Sequence, residues 1–183
     1  MNNELKYFTD GKLVSNSGNV NIYKMNGDLF VEDGRMNLIS SDSAKSEYIW
    51  QLGNKPKGKC LVLGLGTAMV PKYIMTIPKV ISVTTVEENS DVIKAISTIV
   101  REFDKLDVKC DEYLHYLYSS TNQYDFIFVN CYYKVDNSTI PYIADIITAC
   151  KTVLAPDGVL LGWLDINTPE KYIDTFYKLF DIS

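Results

Sequence analysis

Histidine is almost absent from this 183-residue chain. His115 stands alone, and the four cysteines, Cys60, Cys110, Cys131 and Cys150, never fall at C-x-x-C spacing. A zinc centre needs several such ligands close together, and a disulfide framework needs cysteines at paired spacings, so neither a metal nor a disulfide scaffold is expected. The thiols are read as reduced and partly buried. No stretch approaches the roughly 18 consecutive apolar residues of a membrane span. The polar start MNNELKYFTDGK lacks a signal-peptide core, so the expected setting is cytoplasmic, with no membrane partner. Basic excess is missing too. With 18 Lys+Arg against 23 Asp+Glu, the net charge is −5 and no basic stripe appears. Nucleic acid is therefore not an expected partner, and a cationic small molecule suits the chain better.

What is present is enough apolar material, 46% of residues, to bury the core of one domain with a small N-terminal appendage. In residues 18 to 39, Asn26-Gly27 and Asp33-Gly34 punctuate short runs at Asn19 to Met25, Leu29 to Glu32 and Arg35 to Ile39. Asn-Gly and Asp-Gly tolerate the positive φ angles of tight hairpin turns, which predicts a small antiparallel meander. A short helix is expected over Ser40 to Leu52, with Ala44, Tyr48, Ile49 and Leu52 on one face. GNKPKGK then reads as a linker, so the division expected is 1–53 for the meander and short helix, and 54–183 for the main domain.

From Cys60 on, strands and helices alternate, which points to a parallel sheet covered on both faces. Core strands are expected at 60–65, 80–87, 107–110, 125–130 and 158–164. One helix follows a cap at Asn89 or Ser90 and turns Val92, Ile96, Ile99, Val100 and Phe103 inward. A second repeats Ile143, Ile146, Ile147, Cys150 and Leu154, and a third starts at Thr168-Pro169.

The most informative stretch is KCLVLGLGTAM at 59 to 69. A continuous apolar run is the mark of a buried parallel strand, and Gly64-x-Gly66 after it lets the backbone turn sharply against a ligand. The next strand, VISVTTV, ends at Glu87, beside that turn, where a carboxylate can accept from a ribose diol. Asp111 and Asn130 fall at the carboxyl ends of the third and fourth strands, the edge at which open α/β sheets bind ligands. Asp111-Glu112 can accept from an adenine amino group. Carboxylates at strand ends also cap the following helix or face water, a role open to Glu88 and Glu112.

On these motifs the chain resembles the class I S-adenosylmethionine-dependent methyltransferase fold and, within it, the spermidine synthase branch. LFVEDGRMNLISSD at 29 to 42 looks like that branch's hairpin, and VLGLGTA like its first glycine motif. VTTVEENSDVI looks like the strand with the ribose-binding Glu, KCDEYL like the adenine-contacting segment, YDFIFVN like the strand bearing the catalytic Asp, and LAPDGVLLGW like the turn and strand that follow. The resemblance implies a Rossmann-like core of strand order 3-2-1-4-5, truncated at its C-terminus and preceded by the meander. The ligand it implies is S-adenosylmethionine or decarboxylated S-adenosylmethionine, as donor substrate and without a metal. Contacts to it fall on Asn37, Gly64, Gly66, Thr67, Glu87, Glu88, Asp111 and Glu112, with Asn130, Tyr132 and Tyr133 near the transfer point. A small cationic amine is the implied acceptor, and the hairpin an implied homodimer contact.

The departures bear on chemistry. Where the branch carries two catalytic-loop Asp residues, this chain has Asn130-Cys131-Tyr132-Tyr133-Lys134, and Ser46-Glu47-Tyr48 stands where the branch has Tyr-His-Glu. A protonated amine needs a base, and an amide is not one. Asn130-Cys131-Tyr132-Tyr133 also resembles a degraded N-P-P-Y, the motif of methyltransferases acting on planar amino groups. Two readings stay open: a group transferase working by orientation, and a catalytically lost relative that binds a nucleoside or a protein. A dinucleotide oxidoreductase fits less well, because Met69 stands where a third glycine is wanted. Cys131 as a nucleophile lacks a nearby base.

Overall fold

The computed structural model describes residues 11–33, 38–100 and 103–180. The chain begins with an antiparallel meander of β1 (Lys12–Ser17), β2 (Val20–Met25), β3 (Asp28–Glu32) and β4 (Leu38–Ser41). Met25 pairs with Asp28, leaving the two-residue loop Asn26-Gly27 at φ 52° and 97°, the left-handed geometry that the dipeptide predicts. β1 has no counterpart in the sequence reading. β4 and one 3-10 turn (Asp42–Ala44) occupy the start of the expected Ser40–Leu52 helix, so α1 proper spans Lys45–Leu52. Ser41 caps the turn instead, its Oγ accepting the Ser43 N–H at 3.0 Å. Asn37 lies outside the described residues.

The main sheet holds five parallel strands in the order β7-β6-β5-β8-β9. These are β5 (Gly58–Leu63), β6 (Val80–Glu87), β7 (Leu106–Cys110), β8 (Tyr124–Val129) and β9 (Leu154–Gly162). This is the expected 3-2-1-4-5 order. Crossovers pass through α2 (Met69–Met75), α3 (Ser90–Val100), α4 (Tyr113–Ser119) and α5 (Ile140–Val153), and α6 (Glu170–Phe180) follows β9. Central strands of such a sheet are covered on both faces, and Cys60 to Leu63 and Phe126 to Val129 are accordingly fully buried. The helical stripes close the core. Ile143, Ile146, Ile147 and Cys150 of α5 and Phe176 of α6 are buried, whereas Tyr177, next to Phe176 in the chain, is exposed.

Meander and main sheet share packing. Val20, Ile22 and Val31 join Val92 and Ile96 of α3, with Leu65 from the loop after β5, in one apolar cluster. The Ser17 hydroxyl also donates to Asp91 Oδ1 at 3.2 Å, fixing the first hairpin turn at the start of α3. The glycine-bearing loop thus lies under the meander, and α1 is tied to the far side of the sheet by Gln51. Its Nε2 donates to the Leu164 carbonyl at 2.7 Å, and its Oε1 accepts the Leu164 N–H at 3.1 Å.

Candidate functional site

In a sheet of this order the strand sequence reverses between β5 and β8, and the crevice beyond their carboxyl ends is where a ligand meets loops diverging to both faces. Gly64 leaves β5 there at φ 97°. A Cβ on Gly64 would overlap the backbone carbonyl of Asn130, which leaves β8 beside it, so glycine is required by the approach of the two loops themselves. Gly66 continues the turn at φ 51°, Thr67 is buried within it, and Ala68 holds φ 63° before α2.

Glu87 ends β6 and is 7% exposed. Its Oε2 accepts the Leu65 N–H at 3.0 Å and its Oε1 the Asn89 N–H at 3.0 Å. One carboxylate therefore clamps the glycine turn to the start of the next crossover, with the Gly66 N–H as a further donor to it, and its roughly four lone-pair sites leave room for one more. Burial pushes its pKa up, and the N–H groups of Leu65 and Asn89 oppose that rise. Glu88 beside it is exposed; partial desolvation, and then the nearby Glu112, push it up as well.

The third-strand carboxylates have local duties. Asp111 faces His115 one helical turn on, with Nδ1 2.8 and 3.0 Å from its two oxygens, at the surface. Glu112 caps α4, accepting the N–H groups of Leu114 at 3.2 Å and His115 at 2.7 Å. Asn130 Oδ1 accepts the Tyr48 hydroxyl at 3.2 Å. Tyr132 is buried; its hydroxyl donates to the Trp163 carbonyl at 2.6 Å and its ring meets Phe176 edge-on at 6.3 Å. Tyr133, its neighbour in sequence, is 70% exposed.

A pocket of about 180 Å³ opens at this edge, between Glu87, Glu88, Asn89 and Val92 on one side and Tyr113, Cys131, Tyr132 and Tyr133 on the other. It brings together Glu87, Glu88, Tyr132 and Tyr133 of the expected site residues, while Gly64, Gly66, Thr67, Asp111, Glu112 and Asn130 stand outside its lining. Burial raises the Cys131 thiol far above its ordinary range, so it is a protonated wall group and not a thiolate. A second pocket, of about 290 Å³, lies between the β2–β3 turn and α2 and takes in Asp42, Lys45, Thr67 and Lys72. Among the described residues no cluster of His, Cys, Asp and Glu is placed to hold a metal ion, and no helix is long and apolar enough to cross a membrane.

Tyr48 is the residue that sequence reasoning missed. It stands in an apolar helical stripe, and a tyrosine there signals that its hydroxyl has found a buried partner. That partner, Asn130, lies 82 positions away.

The sequence matches no protein-family model and no curated protein. The fold does match known structures. Spermidine synthase from Thermotoga maritima superposes with a TM-score of 0.67 at 14% identity, over 92% of this chain and 60% of its own. A spermidine synthase in complex with the transition state analogue AdoDATO gives 0.62 at 16%, over 92% and 62%. The N-methyltransferase NodS from Bradyrhizobium japonicum gives 0.55 at 15%, over 74% and 80%. This chain shares the spermidine synthase-like methyltransferase fold and spans about three-fifths of the length of those synthases.

Proposed function

We propose that this protein binds a sulfonium nucleoside of the S-adenosylmethionine type at the carboxyl edge of β5, β6 and β8, and transfers an alkyl group from it to a small acceptor. The observation that carries this reading is Glu87: a buried carboxylate hydrogen-bonded to the glycine turn, at the strand end where a ribose diol would donate to its remaining lone pair. The solved structures with this fold include a spermidine synthase holding a transition state analogue and an N-methyltransferase, which supports a nucleoside donor and an amine acceptor. In the transfer, an acceptor lone pair forms a bond to the carbon next to sulfur, the carbon–sulfur bond breaks, and the sulfonium becomes a neutral thioether. Asn130 cannot take the acceptor's proton, so that proton leaves to water and rate enhancement comes from orientation.

A second reading has its own support. The amide of Asn130 supplies no base at the loop after β8, and the Tyr132 hydroxyl there is spent on the Trp163 carbonyl. These features favour a binding module without catalysis. Calorimetric titration with S-adenosylmethionine, decarboxylated S-adenosylmethionine, methylthioadenosine and NAD tests both. Binding of the adenosyl sulfur compounds, lost in Glu87→Gln, supports the nucleoside site. Binding of NAD alone, or of nothing, overturns it. Radiolabel transfer to a panel of small amines then separates transferase from binding module.

A further inference from the structure

The side chain of Asn130 is oriented before any ligand arrives. Its backbone N–H donates to the Leu63 carbonyl at 2.9 Å, its own carbonyl fills the space that Gly64 leaves, and its Oδ1 accepts the Tyr48 hydroxyl. Tyr48 is itself fixed. Its ring stacks on Trp163 with centroids 4.0 Å apart and meets Phe128 edge-on at 6.2 Å. Burial raises the Tyr48 phenol far above its ordinary range, so the hydroxyl keeps its proton and acts as a donor. It donates to no other group among the described residues. Turning the Asn130 amide over would set NH₂ against the phenol and strand that proton in an apolar cluster, which costs more than the observed arrangement.

The consequence lies with Nδ2. It donates to no protein group among the described residues, and Asn130 is only partly buried, at the reversal point between β5 and β8. Where a carboxylate at this place would offer only acceptors, the pinned amide offers two N–H donors. A ligand group matched to them carries an accepting oxygen; an ammonium is mismatched.

We infer that Asn130, positioned by Tyr48, makes the site selective for a nucleoside that retains its amino-acid carboxylate, with Nδ2 donating to that carboxylate. The inference rests on the nucleoside reading of the Glu87 edge. It deepens that reading by choosing the carboxylated donor over the decarboxylated one. Tyr48 touches no ligand in this scheme and is a positioning residue.

Three ligands differing only in their tails provide the test: S-adenosylhomocysteine, its decarboxylated analogue and methylthioadenosine, titrated into the full chain. The wild type is expected to bind the carboxylated ligand about tenfold or more tighter than the decarboxylated one, as a hydrogen bond to a charged group implies. Asn130→Asp still accepts from Tyr48 but has no donor to offer, so it should reverse the order. Tyr48→Phe keeps the ring stack and should narrow the ratio, whereas a general loss of structure would weaken all three ligands together. Equal wild-type affinities for the first two, or an unchanged order in Asn130→Asp, would overturn the inference while leaving the nucleoside reading intact. An unchanged ratio in Tyr48→Phe would remove Tyr48 from it. Failure of all three ligands to bind would overturn both.

Discussion

Replacing Tyr132 by Phe separates packing from chemistry at the loop after β8. The substitution deletes one hydroxyl and keeps the ring that meets Phe176. That hydroxyl sits 2.6 Å from the Trp163 carbonyl in a buried setting, and burial holds its pKa well above the ordinary phenol, so it is a committed donor. Removing it loses one net hydrogen bond and leaves a carbonyl poorly satisfied inside the protein, a cost of about 1–2 kcal/mol. For a domain of this size, each kcal/mol lowers Tm by about 2–4 °C. The variant should therefore melt about 2–8 °C below wild type, in thermal unfolding followed by circular dichroism. Nucleoside affinity should change far less than stability. Tyr132→Ala, which also vacates the ring's space, should cost about 3–5 kcal/mol. A Tyr132→Phe protein as stable as wild type but unable to bind nucleoside or transfer an alkyl group would refute this reasoning and return Tyr132 to the reacting centre.

The other expectations concern the turn and its carboxylates. Gly64→Ala places a methyl group on the Asn130 backbone carbonyl at a positive φ, and backbone cannot yield as a side chain does; a loss above about 2 kcal/mol in urea unfolding is expected, and wild-type stability would show that the two loops do not approach this closely. Glu87 is a carboxylic acid whose pKa is raised on folding, so the folded state holds its proton more tightly than the unfolded state. Its contribution is thus fully present below the ordinary carboxylate range and is lost as pH rises through the folded value. Glu87→Gln should flatten that part of the stability–pH profile above about pH 4.3, and an unaltered slope would contradict it. His115→Ala breaks an exposed pair with Asp111 and should shift chemical denaturation by less than about 1 kcal/mol; a larger loss would give that pair a structural role.

Those elements governed by local rules were legible in the sequence. β6 spans Val80–Glu87 as expected, because the run ends in an acid and is followed by Asn89, whose Oδ1 accepts the Asp91 N–H at 2.9 Å. The Asn26-Gly27 hairpin was readable for the same reason: two positive φ angles leave few residue choices. β1 was not, since four of the six residues of KLVSNS are polar and its Leu13 and Val14 are exposed, so its pairing to β2 writes no apolar pattern. The serines before α1 misplace its start because a serine caps a 3-10 turn as readily as an α-helix. Adjacent tyrosines mislead further. In Tyr132-Tyr133 one ring goes into the core and the next into solvent, which no periodicity decides in a loop. Contacts such as Gln51 with Leu164, 113 positions apart, leave no local trace at all.

Asn130 sets the terms on which the two functional readings compete. A carboxylate there would take a proton from an incoming ammonium; the amide cannot, and its oxygen is already engaged by Tyr48. A transferase built this way depends on acceptors whose lone pair is free near neutral pH, and its rate should follow the acceptor's own deprotonation, with no plateau set by a protein base. A binding module places no such demand. In both readings a nucleoside must enlarge the pocket of about 180 Å³, and the wall best able to move is Tyr133, exposed on a loop and not held as Tyr132 is. Entry of the ligand should therefore perturb Tyr133 before it perturbs Tyr132 or the Glu87 clamp, because the clamp's hydrogen bonds hold the turn on which the adenosyl group would rest.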